Sequence, residues 1–349
     1  MLDKIQLNPS LLSQRVVLVD VSKGMLIILV VFGHAWRAVF NNDILHNTII
    51  YHFVDDLIYA FHMPAFFFLA GLFALKTKKQ AVGEFIGKKL RTIAYPYFLW
   101  SIIQSVIQLV MSGSTTRTIT ITDIFKIPLV PIMQFWFLYA LFFVFLFFIM
   151  VRQLTASPIV FFCIGLFLFI MLRSGFPFLP LPFIYLANNF IYFSAGIVWS
   201  RELLIQQKLL IRNYYLWVTC YLLLLGISFA VAYMPVVLPQ EKLLWLAPLF
   251  AIPGGMLVFS TAKLFQVLQL EKVMRLFQLL GLYSLEIFLA HTLFSAGFRI
   301  TTTKIFGVVD MSIHLIGATT LGILGPLLLV FIARGLGGRF LFIWPSRGY

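Results

Sequence analysis

Long apolar runs, separated by short polar stretches, recur from one end of this chain to the other. Their lengths suit a lipid bilayer, which a helix of roughly 17 to 25 apolar residues crosses. Lipid offers backbone amides no partner, so each run is predicted to be a helix. The short alternating segments of a β-barrel are not visible. The pattern predicts ten helices, near 24–40, 57–75, 94–111, 132–151, 158–172, 183–200, 213–233, 243–262, 277–297 and 312–333. Their connections are brief and show no internal repeat. The predicted fold class is all-α: a polytopic helical membrane protein of about ten transmembrane helices, with residues 1–349 as one transmembrane domain.

Composition agrees with this reading, since 61% of residues are hydrophobic and only 11% are charged. Of the 26 lysines and arginines, Arg37, Arg117, Lys126, Arg173, Lys242, Arg299 and Lys304 fall on one side of the predicted topology. The others fall on the side that holds both termini, which the positive-inside rule makes cytoplasmic. The net charge of +14 is therefore read as a topology signal, and nucleic acid is not an expected partner. Cys163 and Cys220 lie inside apolar runs, with no disulfide or metal-site spacing. The N-terminus lacks a signal-peptide cleavage pattern, so the first apolar run is expected to remain as the first transmembrane helix.

Polar groups inside such runs carry the chemistry. VDVSKGMLIILVVFGHAWRAVF (19–40) holds Asp20 and Lys23 at its start and His34 deep inside. On a helix Lys23 and His34 share a face, about 16 Å apart along the axis. Lys23 belongs at the cytoplasmic boundary and His34 near the midplane. Intramembrane ionisable groups are expensive and usually functional. A neutral buried imidazole could serve as a general base.

Other stretches are weaker on their own. FHMPAFFFLAGLF (61–73) places His62 near an extracytoplasmic helix end, while Ala70 and Gly71 would allow close helix packing. In FIGKKLRTIAYPY (85–97), Lys88 and Arg91 suit either a positive-inside anchor or a phosphate site. QFWFLYALF (134–142) sets Gln134 and Trp136 at an outer helix end, where an interfacial belt or a sugar platform is expected. Asn188 and Asn189 fall in the outer half of the sixth helix. LGLYSLEIFLAHTLF (280–294) buries Glu286 and His291, about 140° apart around a helix, with Ser284 on the His291 face.

Taken in order, Asp20-x-x-Lys23-Gly24, His34, FHMP with Gly71, Lys88-x-x-Arg91 before Pro96, WFL at 136–138, and Ser284 with His291 resemble the acyltransferase 3 family. The likeness is strongest to the fucose 4-O-acetylase-like branch. The resemblance implies a ten-helix protein of the bacterial cytoplasmic (inner) membrane. It implies transfer of an acyl group, usually acetyl, from acyl-CoA as co-substrate to a hydroxyl of an extracytoplasmic glycan or exopolysaccharide. His34 matches the family's essential histidine, and His291 a late-helix histidine. Lys23 stands where most members carry arginine, and Lys88 with Arg91 stands where they carry Arg-x-x-Arg. The expected catalytic set is then His34, Glu286 and His291. Asp20, Lys23, Lys88 and Arg91 are expected to hold acyl-CoA, and His62, Trp136 and Asn188 the acceptor. No bound cofactor and no metal are expected. Tyr283, Asn188 or a backbone amide would stabilise the oxyanion. The rival class is a proton-coupled transporter or flippase for a glycan or lipid-linked sugar, which buried His and Glu groups would also suit.

Overall fold

Glycines decide how closely these helices approach one another, and they set the frame. The computed structural model describes residues 17–42, 44–77, 81–111, 119–175, 179–201, parts of 213–226, and 247–344. The described residues hold helices and turns without strands. In chain order the helices are α1 (Val17–Asn41), α2 (Thr48–Tyr59), α3 (His62–Leu72), α4 (Val82–Lys89), α5 (Tyr95–Val110) and α6 (Ile121–Lys126). They continue as α7 (Trp136–Leu154), α8 (Pro158–Arg173), α9 (Leu181–Arg201), α10 (Ala247–Val267), α11 (Glu271–Leu282), α12 (Ser284–Lys304) and α13 (Met311–Gly335).

Among the described residues, six helical stretches are long and apolar enough to cross a membrane, or seven if the bent α11–α12 pair is one span. The predicted elements appear with shifted ends. The second begins nine residues early, at Thr48, and breaks at Phe61 into α2 and α3. The third starts at Val82 rather than 94 and continues through a π-helical turn, Leu90–Ala94, into α5. Pro96 has no amide to give the carbonyl four residues back, and the wider turn accommodates that loss. The ninth is two helices meeting at 79°. Most of the predicted helix 213–233 lies outside the described residues.

α1 sits at the centre. A Cβ on Gly24 would collide with the Phe277 carbonyl, and one on Gly281 with the Asp20 carbonyl, so α1 and α11 cross backbone to backbone. Gly24 of the Asp-x-x-Lys-Gly stretch is thus a packing residue. Gly71 and Gly196 make a second such crossing between α3 and α9, against the Phe193 and Phe68 carbonyls, as the small residues near 70 predict. Gly322 of α13 instead makes room for side chains, Ser295 of α12 and Val31 of α1. Around these crossings, stacked phenylalanines of α3, α4, α7, α8 and α9 fill the core.

Candidate active site

α1 and α12 run side by side, and a histidine of each meets the other. The His34 and His291 rings lie 5.0 Å apart, centroid to centroid. His291 is fully buried. Its Nδ1 lies 2.8 Å from the Phe288 carbonyl and 3.0 Å from that of Ile287. A carbonyl only accepts, so Nδ1 carries the proton and Nε2 holds a lone pair. Nε2 is buried and has no hydrogen-bond partner. His34 is half-buried, and neither of its ring nitrogens bonds a described residue. The two imidazoles therefore face one another with the His291 Nε2 lone pair unspent.

Two cavities flank this pair. The one on the side that the charge pattern predicts to be cytoplasmic, called the inner chamber, is about 340 Å³ and is lined along α1 by Lys23 and Ile27 and along α12 by Ser284, Leu285 and Phe288. α3 and α7 wall the rest with Phe66, Phe73, Phe137 and Phe145, and Lys89 and Thr92 border it. The outer one, about 170 Å³, is lined along α1 by His34 and Ala38, along α12 by Thr292, Ser295 and Arg299, and along α13 by His314. Each helix thus passes from one chamber to the other. The change of chamber falls between Ile27 and His34 on α1, and between Phe288 and Thr292 on α12. The histidine pair occupies that waist. The Phe288 ring, which faces the inner chamber, is 6.1 Å from His291.

A buried amide network braces the waist from the side. Gln104 Nε2 donates to Thr292 Oγ1 at 2.8 Å and to the Leu289 carbonyl at 3.1 Å. Gln134 Nε2 donates to the same Thr292 oxygen at 3.0 Å and to Gln104 Oε1 at 3.0 Å. Thr292 Oγ1 accepts twice, which leaves its own hydrogen to donate. Gln134 reaches this depth because Met133 takes a positive φ of 44° and turns the chain inward before α7.

The remaining predicted site residues separate into those near the waist and those away from it. Asp20 is buried and its carboxylate lies 3.6 Å from Lys23 Nζ, so the two form the expected pair at the inner rim. Lys88 and Arg91 are exposed and line neither chamber, whereas Lys89 between them does, its Nζ 3.3 Å from the Phe145 ring centroid. His62 is 1% exposed and bonds the Ile58 carbonyl through Nδ1 at 2.6 Å. It is buried at the start of α3 rather than interfacial. The Tyr59 ring stands beside both histidines, 4.7 Å from His62 and 6.3 Å from His34.

Glu286 sits in the first turn of α12 and lines neither chamber. Trp136 stacks on Tyr185 at 6.0 Å, and Asn188 accepts a 2.6 Å hydrogen bond from Arg173 Nη2. Neither residue lines the outer chamber. The Tyr283 hydroxyl takes a 2.8 Å bond from Arg334. Among the described residues no group of three or more His, Cys, Asp or Glu could hold a metal ion. Sequence reasoning missed Lys89, Thr292, Arg299 and His314. The signal for Thr292 was its position next to His291, and for Arg299 its charge on the sparse outer side.

A family model described as an acyltransferase domain matches residues 17–334, which include every residue of both chambers. Comparison with curated proteins and with solved structures returned no match.

Proposed function

The chain belongs to the acyltransferase 3 family, and from that premise we propose that it is an integral membrane O-acyltransferase. It moves an acyl group from cytoplasmic acyl-CoA to a hydroxyl of an extracytoplasmic glycan across the two chambers. The acyl group is acetyl in this reading. The protein sits in a bacterial inner membrane with about ten spans and cytoplasmic termini. The observation that carries the proposal is the waist: a free-nitrogen histidine pair between a chamber with two lysines and a chamber with polar walls.

The inner chamber suits the donor. Lys23 and Lys89 offer cations for CoA phosphates at the inner rim. Phenylalanine walls accept the pantetheine arm, and the axial distance from Lys23 to His34 is about 16 Å. The outer chamber presents small and polar side chains to an alcohol. In the reaction His34 takes the proton of the sugar hydroxyl as its oxygen attacks the thioester carbon. The tetrahedral oxyanion lies within reach of the uncommitted Thr292 hydroxyl. The C–S bond then breaks, and the CoA thiolate leaves with the proton returned from His34. His291, fixed by its bond to the Phe288 carbonyl, positions His34 and can share that proton. In the relay variant, His34 itself attacks the thioester and passes the acyl group to the alcohol.

The test is single turnover with labelled acetyl-CoA and purified protein. Label transferred to a glycan hydroxyl supports the proposal. Label retained on His34 without acceptor selects the relay. Absence of donor consumption with any glycan acceptor, together with glycan flux across proteoliposomes, would favour the transporter reading.

A further inference from the structure

Arg299 is at odds with its surroundings. It lines the outer chamber, and its hydrogen bond there goes to a neutral group, Asn42 Oδ1, from Nη1 at 2.8 Å. Its Nε is buried and has no partner. Among the described residues no carboxylate approaches it. The contrast with Arg37 is direct. That arginine, on the same side of the membrane, is gripped through two nitrogens by Asp55 at 2.6 and 2.7 Å and lies over the Tyr59 ring at 3.2 Å. Among the described residues one outer cation is fully compensated by a carboxylate, while the other, which borders the cavity, has none beside it. An uncompensated guanidinium at this depth is costly, and it runs against the positive-inside bias.

The rest of the chamber leaves room for a ligand, and His314 offers it an acceptor suited to a sugar hydroxyl, not to the anion itself. His314 spends its Nε2 proton on the Val308 carbonyl at 2.9 Å, and its Nδ1 is buried without a partner. Ala35, Ala38, Ala296 and Ala318 are small and leave the space free. Arg299 is eight residues beyond His291 on α12, and Asn42 eight beyond His34 on α1. The Arg299–Asn42 bond therefore lies about 12 Å outside the histidine pair.

We propose that the outer chamber selects an anionic acceptor, with Arg299 binding a carboxylate or phosphate of the glycan about two helical turns outside the hydroxyl that His34 serves. The inference rests on the acyl-transfer reading and deepens it. Asn42 takes Nη1, which leaves Nη2 to give an anion a charge-assisted hydrogen bond.

The experiment compares a uronic-acid oligosaccharide with its methyl ester, using the full-length protein in a maltoside detergent free of phospholipid. Both binding and transfer from acetyl-CoA are measured. The wild-type protein is expected to prefer the acid by about tenfold in kcat/KM, chiefly through KM. Arg299→Gln is expected to abolish the preference, and Arg299→Lys to restore part of it. Donor binding in the variants reports that they are folded. Equal use of acid and ester by the wild-type protein overturns the proposal, as does a preference that survives Arg299→Gln. An effect of Arg299→Gln confined to phospholipid bilayers assigns the site to a lipid headgroup and also overturns it. If no acceptor is acylated, the enzyme reading falls, yet binding still decides the anion site: an acid preference that Arg299→Gln removes supports it.

Discussion

The two chambers share α1 and α12 as walls but differ in almost everything else. The inner one is roughly twice the size, with an aromatic lining and lysines at its rim. The outer one is walled by alanine, threonine, serine, arginine and two histidines. An aromatic sleeve with a cationic mouth fits a long flexible arm that ends in phosphates. A small polar recess fits one oriented alcohol. On the proposed function, the difference makes the membrane a partition between two kinds of recognition, with two rings set where they meet.

The largest expected effect breaks the meeting point. His34→Ala should lower transfer by about a thousandfold, within the usual range for loss of a general base, while acyl-CoA still binds. Donor affinity by calorimetry alongside turnover checks both halves, and a parallel loss of donor binding would merge the two chambers into one site. His291→Ala should cost less, about tenfold to a hundredfold in kcat with KM for both substrates held. A change in KM for donor alone would place this ring in the inner chamber instead.

The next effects fall on one side only. Lys23→Ala and Lys89→Ala should each raise KM for acyl-CoA about fivefold to tenfold and leave acceptor KM unchanged, with the difference shrinking at high salt. The smallest effect sharpens the inner rim. Lys88→Ala, one residue from Lys89 but exposed, should shift donor KM by about twofold or less. If Lys88→Ala exceeds Lys89→Ala, the phosphate site lies outside the chamber, where the Lys88-x-x-Arg91 reading would put it.

Much of this was legible early. His34 and His291 stood out because a polar ring inside an apolar run must be paid for by some role. Gly71 could be read as a close-packing site because small residues are what membrane helices use to approach one another. The inner-rim lysines were harder. Lys88, Lys89 and Arg91 are adjacent in sequence, and a regular helix from 94 gives no reason to choose Lys89. The π-helical turn at Leu90–Ala94 carries Arg91 and separates Lys88 and Lys89 from α5, and a regular-helix reading has no place for it. Trp136 and Asn188 suited an interfacial belt, a bond to another helix or a glycan contact from their outer position, and in the fold they engage Tyr185 and Arg173.

By itself the sequence determined that the chain is a bundle of membrane helices and that a few ionisable groups lie within it, because hydropathy along one helix is a local property. Only the tertiary structure decided that His34 faces His291, that Thr292 collects two glutamine amides, and that Arg299 borders a cavity with Asn42 as its partner. Those are relations between helices far apart in the chain. They are fixed by where Gly24 and Gly281 let backbones touch and Gly322 admits side chains, distances that no periodicity along a single run contains.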